Sequence, residues 1–243
     1  MDALAALPGF RRRFVVTPAP DRVTAAVEDD YHCMAVTLQH DGATILGIQA
    51  EMDRAPWTTC PGATAVVELT FAGAALTNAA SLGQKQANCT HLYDLAVLAA
   101  AHARDPKPLR YDILASDPID GEVTAEIRRN GVAVLRIAHH DNVMTAPADI
   151  AGLALFKLRG WIETLSGAEQ EAARLLQWGT ILAHGRTTPM EAQSDASRMP
   201  SNCYTFQPER KLAARRIGQV LDFSRTALVP LEHLDADGFR ART

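Results

Sequence analysis

Two series of short alternating segments, each with a turn dipeptide between them, constrain the fold of this chain most. Asp41-Gly42 and Asn130-Gly131 are dipeptides that favour the tight turns of β-hairpins. Before the first turn, within Tyr31 to Leu38, Met34, Val36 and Leu38 alternate with Ala35 and Thr37, the period-2 pattern of a half-buried strand. The region 10–55 therefore reads as strands, and we predict individual strands at 22–28, 31–38, 44–50, 110–114, 123–129 and 132–138.

Helix signals follow the first series. Thr58 and Thr59 are cap-type residues, Pro61 suits a first helical turn, and an apolar pattern runs on to Leu69. These features predict a helix at 61–72, and a second apolar pattern predicts one at 90–103. Beyond the second series we predict helices at 153–165, 168–184 and 208–219, a short strand at 203–206, and a polar stretch at 187–202 that acts as a lid or stays mobile. We expect the charged tail after Pro230 to be loosely held.

These elements predict an α+β fold in a single domain, 1–243. Two antiparallel meanders, within 10–148, form one sheet or a sandwich, and the 61–72 and 90–103 helices pack on one face. Residues 150–226 form a helical cover, and the segment 203–210 closes a pocket. The meanders also echo each other, because Val23-Thr24-Ala25 and His40-Asp41 recur one hundred residues later. An internal repeat is one explanation of this echo, and chance is the other.

Composition narrows the class of protein. The net charge is −4 and there is no dense basic stripe, which argues against a nucleic-acid partner. Arg11-Arg12-Arg13 reads as the charged start of a strand. No run approaches the ~20 apolar residues of a membrane span, and the first residues do not resemble a secretion signal. Four scattered cysteines suit free thiols, so we expect a cytoplasmic protein.

Two predicted helix starts carry the strongest chemical signal. Cys60 precedes Pro61, and Cys89 begins the second helix with His91 two residues later. Unpaired N–H groups and the helix dipole favour a thiolate at such positions. The alternative for a single cysteine is a small buried core residue.

Two chemistries fit this group, and the residues leave both open. Cys60, Cys89 and His91 could hold a metal with one further ligand, although no CxxC or HxxxH spacing supports it. Alternatively, Cys60 acts as nucleophile or His91 as general base, and the helix starts receive an anion. The latter is favoured, because a helix start suits an anion better than a cation.

Other residues are candidates for the same pocket. The His40-Asp41 pair offers an imidazole with an orienting carboxylate, although Asp41 before Gly42 also suits a turn. Arg54 offers a fork for a substrate carboxylate, and Trp57 an apolar wall. Tyr31 and His32 could supply a phenol and an imidazole, and His32 could equally be a structural residue. We also expect substrate contacts from three residues near the predicted helix start and pocket-closing segment: Thr59, Tyr204 and Arg210.

Four separated motifs resemble one bacterial domain-of-unknown-function family. They are YHCMAVTLQHDG at 31–42, RAPWTTCPGA at 54–63, CTHLYDLAVLAAAHA at 89–103 and CYTFQPER at 203–210. The likeness runs from about residue 10 to 226 and implies that these motifs belong to one design. It implies no reaction, only an association with enzymes that degrade aromatic or cyclic compounds. A looser similarity to the iron–sulfur scaffold fold does not extend to the C-terminal half.

We therefore expect a cofactor-independent lyase or hydrolase that acts on a small, partly aromatic metabolite in a catabolic pathway. No GxGxxG or GxxxxGK[ST] motif indicates a nucleotide cofactor. His91 or His40 would be the base, and Arg54 or Arg210 the anion grip. The alternatives are a metal- or iron–sulfur-binding protein using Cys60, Cys89 and His91, and a non-catalytic ligand-binding module. A homo-oligomer is left open.

Overall fold

The computed structural model describes residues 3–187 and 194–233, and within them the chain forms eight antiparallel strands and several helices. The strands are β1 (Gly9–Pro18), β2 (Arg22–Asp29), β3 (Cys33–His40), β4 (Ile45–Arg54), β5 (Leu109–Ser116), β6 (Glu122–Arg129), β7 (Val132–His140) and β8 (Val143–Ala146). The α-helices are α1 (Ala63–Phe71), α2 (Thr90–His102), α3 (Arg159–Ile162), α4 (Gly167–Ala183) and α5 (Pro208–Lys211). The predicted α+β fold class is confirmed.

The described chain divides into two compact units. Unit I comprises 14–109, 194–219 and 231–233, and unit II comprises 3–13, 110–187 and 220–230. In unit I the strand order is β4-β3-β2-β1, with α2 packed on β2 and β3 and with α1 packed on β4. In unit II the order is β1-β5-β6-β7-β8, and α4 packs on β6 and β7. Because β1 has residues in both units, the prediction of a single domain stays a prediction.

The β2–β3 ladder of unit I has two distinct faces. Val23, Ala25 and Val27 pair with Leu38, Val36 and Met34, and all six side chains are fully buried. The opposite face holds the pairs Ala26–Ala35 and Glu28–Cys33, and Leu231 packs on its two alanines. The strand pattern thus buries both faces of the hairpin, and a carboxylate becomes part of the interior.

The six predicted strands are confirmed to within a few residues, and so are the helices predicted at 61–72 and 90–103. The first begins as a 3₁₀ turn at Cys60–Gly62 before α1. Strand starts in the two series also lie close to one hundred residues apart: Gly9 and Leu109, Arg22 and Glu122, Cys33 and Val132. This spacing agrees with an internal repeat.

Three predictions for the C-terminal half are wrong, and the strand β8 is an element that the sequence did not predict. The helix expected at 153–165 is replaced by a 3₁₀ turn and the short α3, because residues 153–155 hydrogen-bond to Met144 and Asn142 instead. Residues 204–206 form a 3₁₀ turn, not a strand. The helix expected at 208–219 ends at Lys211, since Arg215 and Ile217 pair with residues 56–58.

Two further predictions concern the polar stretch at 187–202 and the C-terminal tail. The polar stretch at 187–202 and the tail after Pro230 fall partly outside the described residues. Within them, Leu231 is buried and donates its N–H to Glu28 at 2.6 Å, so the start of the tail is held. No helix of the described part is long and apolar enough to cross a membrane.

Candidate functional site

The segment 203–206 joins the two predicted helix starts of unit I. The N–H of Tyr204 donates to the carbonyl of Asn88, the residue before Cys89, at 2.8 Å. The hydroxyl of Thr205 lies 3.3 Å from the Cys60 sulfur and 3.2 Å from the Thr59 hydroxyl. This segment therefore contacts both predicted helix starts, and its predicted role in closing a pocket stays a prediction.

Glycine at position 62 makes the approach of Tyr204 possible. A β-carbon on Gly62 would lie 2.5 Å from the Tyr204 hydroxyl and 3.2 to 3.3 Å from its ring. The backbone of Gly62 has an ordinary helical φ of −64°, so the requirement is for space and not for unusual torsion angles. Tyr204 is itself covered by the Arg210 guanidinium, 3.9 Å from the ring centre.

We expect Gly62→Ala to displace the Tyr204 ring and to lower the free energy of unfolding by about 1–3 kcal/mol. Urea denaturation measures this loss. Adding Tyr204→Phe removes the hydroxyl oxygen, the atom closest to the new β-carbon, and should restore part of the lost stability. Gly160→Ala is the control, because a β-carbon there meets nothing within 4 Å. Equal stability of Gly62→Ala and Gly160→Ala would show that the contact does not exist.

Burial favours the thiol form of both cysteines at the helix starts, which supports the alternative of buried core residues over thiolates. Burial raises the pKa of Cys60, and a hydrogen bond from Thr205 offsets part of that rise. Burial also raises the pKa of Cys89 to about 12, and the nearby Cys60 and Cys203 add repulsion between negative charges. Desolvation outweighs the helix-start effect here, which argues against Cys60 as a resting nucleophile.

The raised pKa of Cys89 predicts a loss of stability in alkali. The unfolded thiol ionises near pH ~8.5, whereas the folded thiol stays neutral to about 12. Raising the pH from 8 to 10.5 should therefore cost wild type about 2 kcal/mol relative to Cys89→Ala. Urea denaturation across that range measures the difference, which should stay constant between pH 6.5 and 8. A constant difference up to pH 10.5 contradicts the prediction.

The β2–β3 turn holds a buried carboxylate–imidazole dyad. Asp29 is fully buried and accepts the N–H groups of Tyr31 and His32, both at 2.8 Å. The same carboxylate lies 3.0 and 3.2 Å from the Nδ1 atom of His32. A carboxylate on Nδ1 keeps the proton there and leaves Nε2 as the basic nitrogen.

His32 stacks on His91 and so connects the dyad to the second helix start. The ring centres lie 4.0 Å apart with a 30° tilt. The Nδ1 atom of His91 lies 4.0 Å from the Cys89 sulfur. The structure therefore brings together Tyr31, His32, Cys89 and His91, with Cys60 near Cys89.

Arg54 contacts the turn that carries the dyad. Its Nη2 donates to the buried Glu28 carboxylate at 3.1 Å and to the Asp29 carbonyl at 2.8 Å. Its Nη1 is buried and has no hydrogen-bond partner among the described residues. Arg54 thus positions this turn through one nitrogen, and its binding of substrate stays a prediction.

Arg216 lies beside two aromatic rings of the same group of residues. Its guanidinium lies 5.6 Å from the Tyr31 ring centre and 5.3 Å from that of Trp57, as cation–π contacts. Burial lowers the pKa of Arg216, and Tyr31 and Cys60 act in the opposite direction. A β-bridge between Trp57 and Arg216 fixes its backbone. Trp57 also contacts Phe206 edge-on, with ring centres 5.5 Å apart, and its role as an apolar wall for substrate stays a prediction.

His40 and Asp41 do not join this group. His40 is the last residue of β3 and Asp41 follows it, about 23 Å along the strand from Cys33. His40 accepts the Gly42 N–H on Nδ1, and Asp41 accepts the N–H groups of Ala43 and Thr44. These hydrogen bonds lower the pKa of Asp41. The alternative interpretation of Asp41 as a turn residue fits the structure.

Geometry gives no support to a metal at the predicted helix starts. Among the described residues, the three-residue group whose ligand atoms all lie within 4.8 Å of one another is Glu28, Cys33 and His233. Cys60, Cys89 and His91 form no such group. The metal-binding alternative at the helix starts stays a prediction.

Sequence reasoning gave too little weight to His32, Asp29 and Arg216. The residues Asp29 to His32 indicate a turn followed by the strand predicted at 31–38. They are equally compatible with an Asx turn at Asp29, with the His32 imidazole three residues later. Arg216 carried no local signal, since it fell inside a predicted helix.

Much of the site lies in one segment of the chain. Residues 15–104 match a family described as a protein of unknown function (DUF2889). The match covers less than half of the chain and confirms the resemblance to a domain-of-unknown-function family. The match includes Tyr31, His32, Cys60, Cys89 and His91, whereas Tyr204 and Arg216 lie beyond it. No curated protein matches the chain.

Proposed function

We propose that this protein is a lyase or hydrolase whose own side chains supply acid–base catalysis on a small, partly aromatic metabolite in a catabolic pathway. The buried Asp29–His32 dyad, stacked on His91, carries the proposal. A buried carboxylate on Nδ1 is the arrangement that prepares an imidazole to take a proton on Nε2. The dyad replaces His40 and Asp41 in the predicted roles of base and orienting acid.

In the proposed mechanism, His32 removes a proton through Nε2, from water in a hydrolysis or from a substrate carbon in an elimination. The positive charge that develops on the ring is stabilised by the Asp29 carboxylate. His91 donates a proton to the leaving group. The electron pair of the broken bond leaves with that group, and solvent restores both imidazoles to their starting protonation.

The surroundings of the dyad favour an anion with an aromatic body. Arg216 supplies a positive charge beside the Tyr31 and Trp57 rings. An arginine can hold a carboxylate through two parallel hydrogen bonds. Trp57 and Phe206 add an apolar surface. We assign Cys60 and Thr205 to the wall of this site, because the thiol is buried and hydrogen-bonded.

The test is a search for turnover with a matched pair of histidine variants. A panel of aromatic hydroxy acids, esters and lactones is incubated with each protein, and mass spectrometry follows consumption. Wild type should consume at least one compound, and His32→Gln should reduce its rate by about 10²-fold or more. His40→Gln, another buried histidine, should retain the rate.

Two results would contradict the proposal. One is equal turnover by His32→Gln and wild type. The other is consumption that is lost equally in both histidine variants while their thermal unfolding is unchanged, because His40 lies outside the proposed site. Binding of panel members without consumption would favour a ligand-binding module instead.

A further inference from the structure

Unit II contains a cavity of about 360 Å³ whose wall is rich in arginine. Five of its lining residues are Arg11, Arg12, Arg13, Arg110 and Arg128, and Asp112 is the single acid among those that line it. The volume lies at the lower end of the ~300–1,000 Å³ range of ligand pockets. A concave wall with an excess of one charge sign concentrates ions of the opposite sign. Here Asp112 and Glu126, which pairs with Arg128 at 2.6 Å, offset part of the excess positive charge.

The sheet places these side chains together by strand register. Arg110, Asp112 and Leu114 alternate onto one face of β5, and Asp112 pairs with Arg128 of β6. Arg11 and Arg13 share a face of β1 in the same way. Arg13 donates to Asp112 at 2.6 Å and to the Pro230 carbonyl at 3.2 Å. Arg110 also contacts Asp112, at 2.9 Å, so these two arginines share one carboxylate.

Backbone groups hold another arginine of the wall in place. The guanidinium of Arg11 donates to the carbonyls of Ala5, Leu7 and Phe10 at 2.6 to 3.2 Å. These hydrogen bonds fix the position of its guanidinium group. Arg12 is buried in the same wall. The arginine run that read as a charged strand start is therefore part of a cavity.

The rest of the wall is apolar. Leu114, Phe223 and Val229 line the cavity together with Leu228 and Pro230. A simple inorganic anion would leave this surface unused, whereas a neutral apolar molecule would leave the arginines unused. The combination suits a molecule with one anionic head and an apolar body.

We propose that this cavity binds a small organic anion, a carboxylate or phosphate carried on an apolar body. The head would be held by Arg110 and Arg11, and the body by Phe223 and its apolar neighbours. This site is built from residues of unit II and uses none of the residues assigned to catalysis.

Equilibrium dialysis with three probes tests the proposal. The probes are 1-naphthoate, the neutral 1-naphthol with the same ring, and inorganic phosphate. We expect saturable binding of 1-naphthoate and at least about tenfold weaker binding of each of the others. Because the catalytic site is also proposed to take aromatic acids, binding is measured in wild type and in an Arg216→Ala background.

Four variants are expected to change the affinity for 1-naphthoate in different directions. Arg110→Ala and Arg11→Ala should each weaken 1-naphthoate binding about tenfold in both backgrounds. Asp112→Asn should strengthen it, an effect that partial unfolding would not produce. Arg159→Ala is the matched control, because Arg159 pairs with Glu163 on exposed α3, and it should change nothing.

The proposal is overturned by any of three results. They are no saturable binding of 1-naphthoate, equally tight binding of 1-naphthol or phosphate, and arginine variants that bind like Arg159→Ala. Failure of the Arg110→Ala prediction would leave the acid–base proposal unaffected, since that site is tested through His32.

Discussion

Arg54→Ala should lower the free energy of unfolding by about 3–5 kcal/mol, the usual cost of breaking a buried ion pair from one side. Glu28 is buried, and its carboxylate receives Nη2 of Arg54 at 3.1 Å. The same nitrogen donates to the carbonyl of Asp29. Removing the guanidinium leaves a buried carboxylate with a lost partner and loosens the turn that holds the dyad.

Urea denaturation at pH 7 measures this effect, with Arg22→Ala as the matched control. Arg22 contacts Asp21 at 3.5 Å on the exposed start of β2, so its removal should cost at most about 0.5 kcal/mol. Arg54→Lys retains the charge without the planar fork and should fall between them. Equal stability of Arg54→Ala and Arg22→Ala would contradict the assigned positioning role.

Asp29→Asn should reduce turnover of the substrate found with the panel by about 10³–10⁴-fold, the scale seen when a triad carboxylate becomes an amide. Asparagine retains an oxygen for the N–H groups of Tyr31 and His32. The amide presents an N–H₂ group to the imidazole in place of a carboxylate oxygen. It cannot stabilise a charged ring as the carboxylate does, and it favours the tautomer with its proton on Nε2.

Asp41→Asn is a closely matched control for this variant. Asp41 also accepts the N–H groups two and three residues ahead, in the turn between β3 and β4, but lies outside the site. It should retain the wild-type rate. Comparable thermal unfolding of the two variants separates catalysis from folding. A loss of less than tenfold in Asp29→Asn would show that the dyad does not drive the reaction.

Local sequence signals predicted most of the strands and the two helices of unit I. Alternation in 31–38 and the Asp41-Gly42 and Asn130-Gly131 turns depend on neighbours in the chain, so they can be read from the sequence. The C-terminal half could not be read this way. Residues 215–217 have a helix-compatible composition but pair with residues 56–58, and such long-range hydrogen bonds override propensity.

The candidate site was predicted in part for the same reason. Cys60, Cys89, His91 and the 203–210 segment were brought together as expected, because motif spacing and helix starts are local features. The burial of Asp29 and Glu28 was not visible, since it depends on strand register and on Leu231, about two hundred residues away. Burial also reversed the expected ionisation of Cys60 and Cys89.

The state of His32 tests the central claim most directly. Long-range ¹H–¹⁵N NMR on uniformly labelled protein reports which imidazole nitrogen carries the proton, and His32→Gln assigns the signal. The dyad predicts that neutral His32 is protonated on Nδ1 and bare on Nε2, and that Asp29→Asn reverses this tautomer while Asp41→Asn does not. A wild-type ring protonated on Nε2 would leave Nδ1, the nitrogen beside Asp29, as the basic one, and would contradict the account.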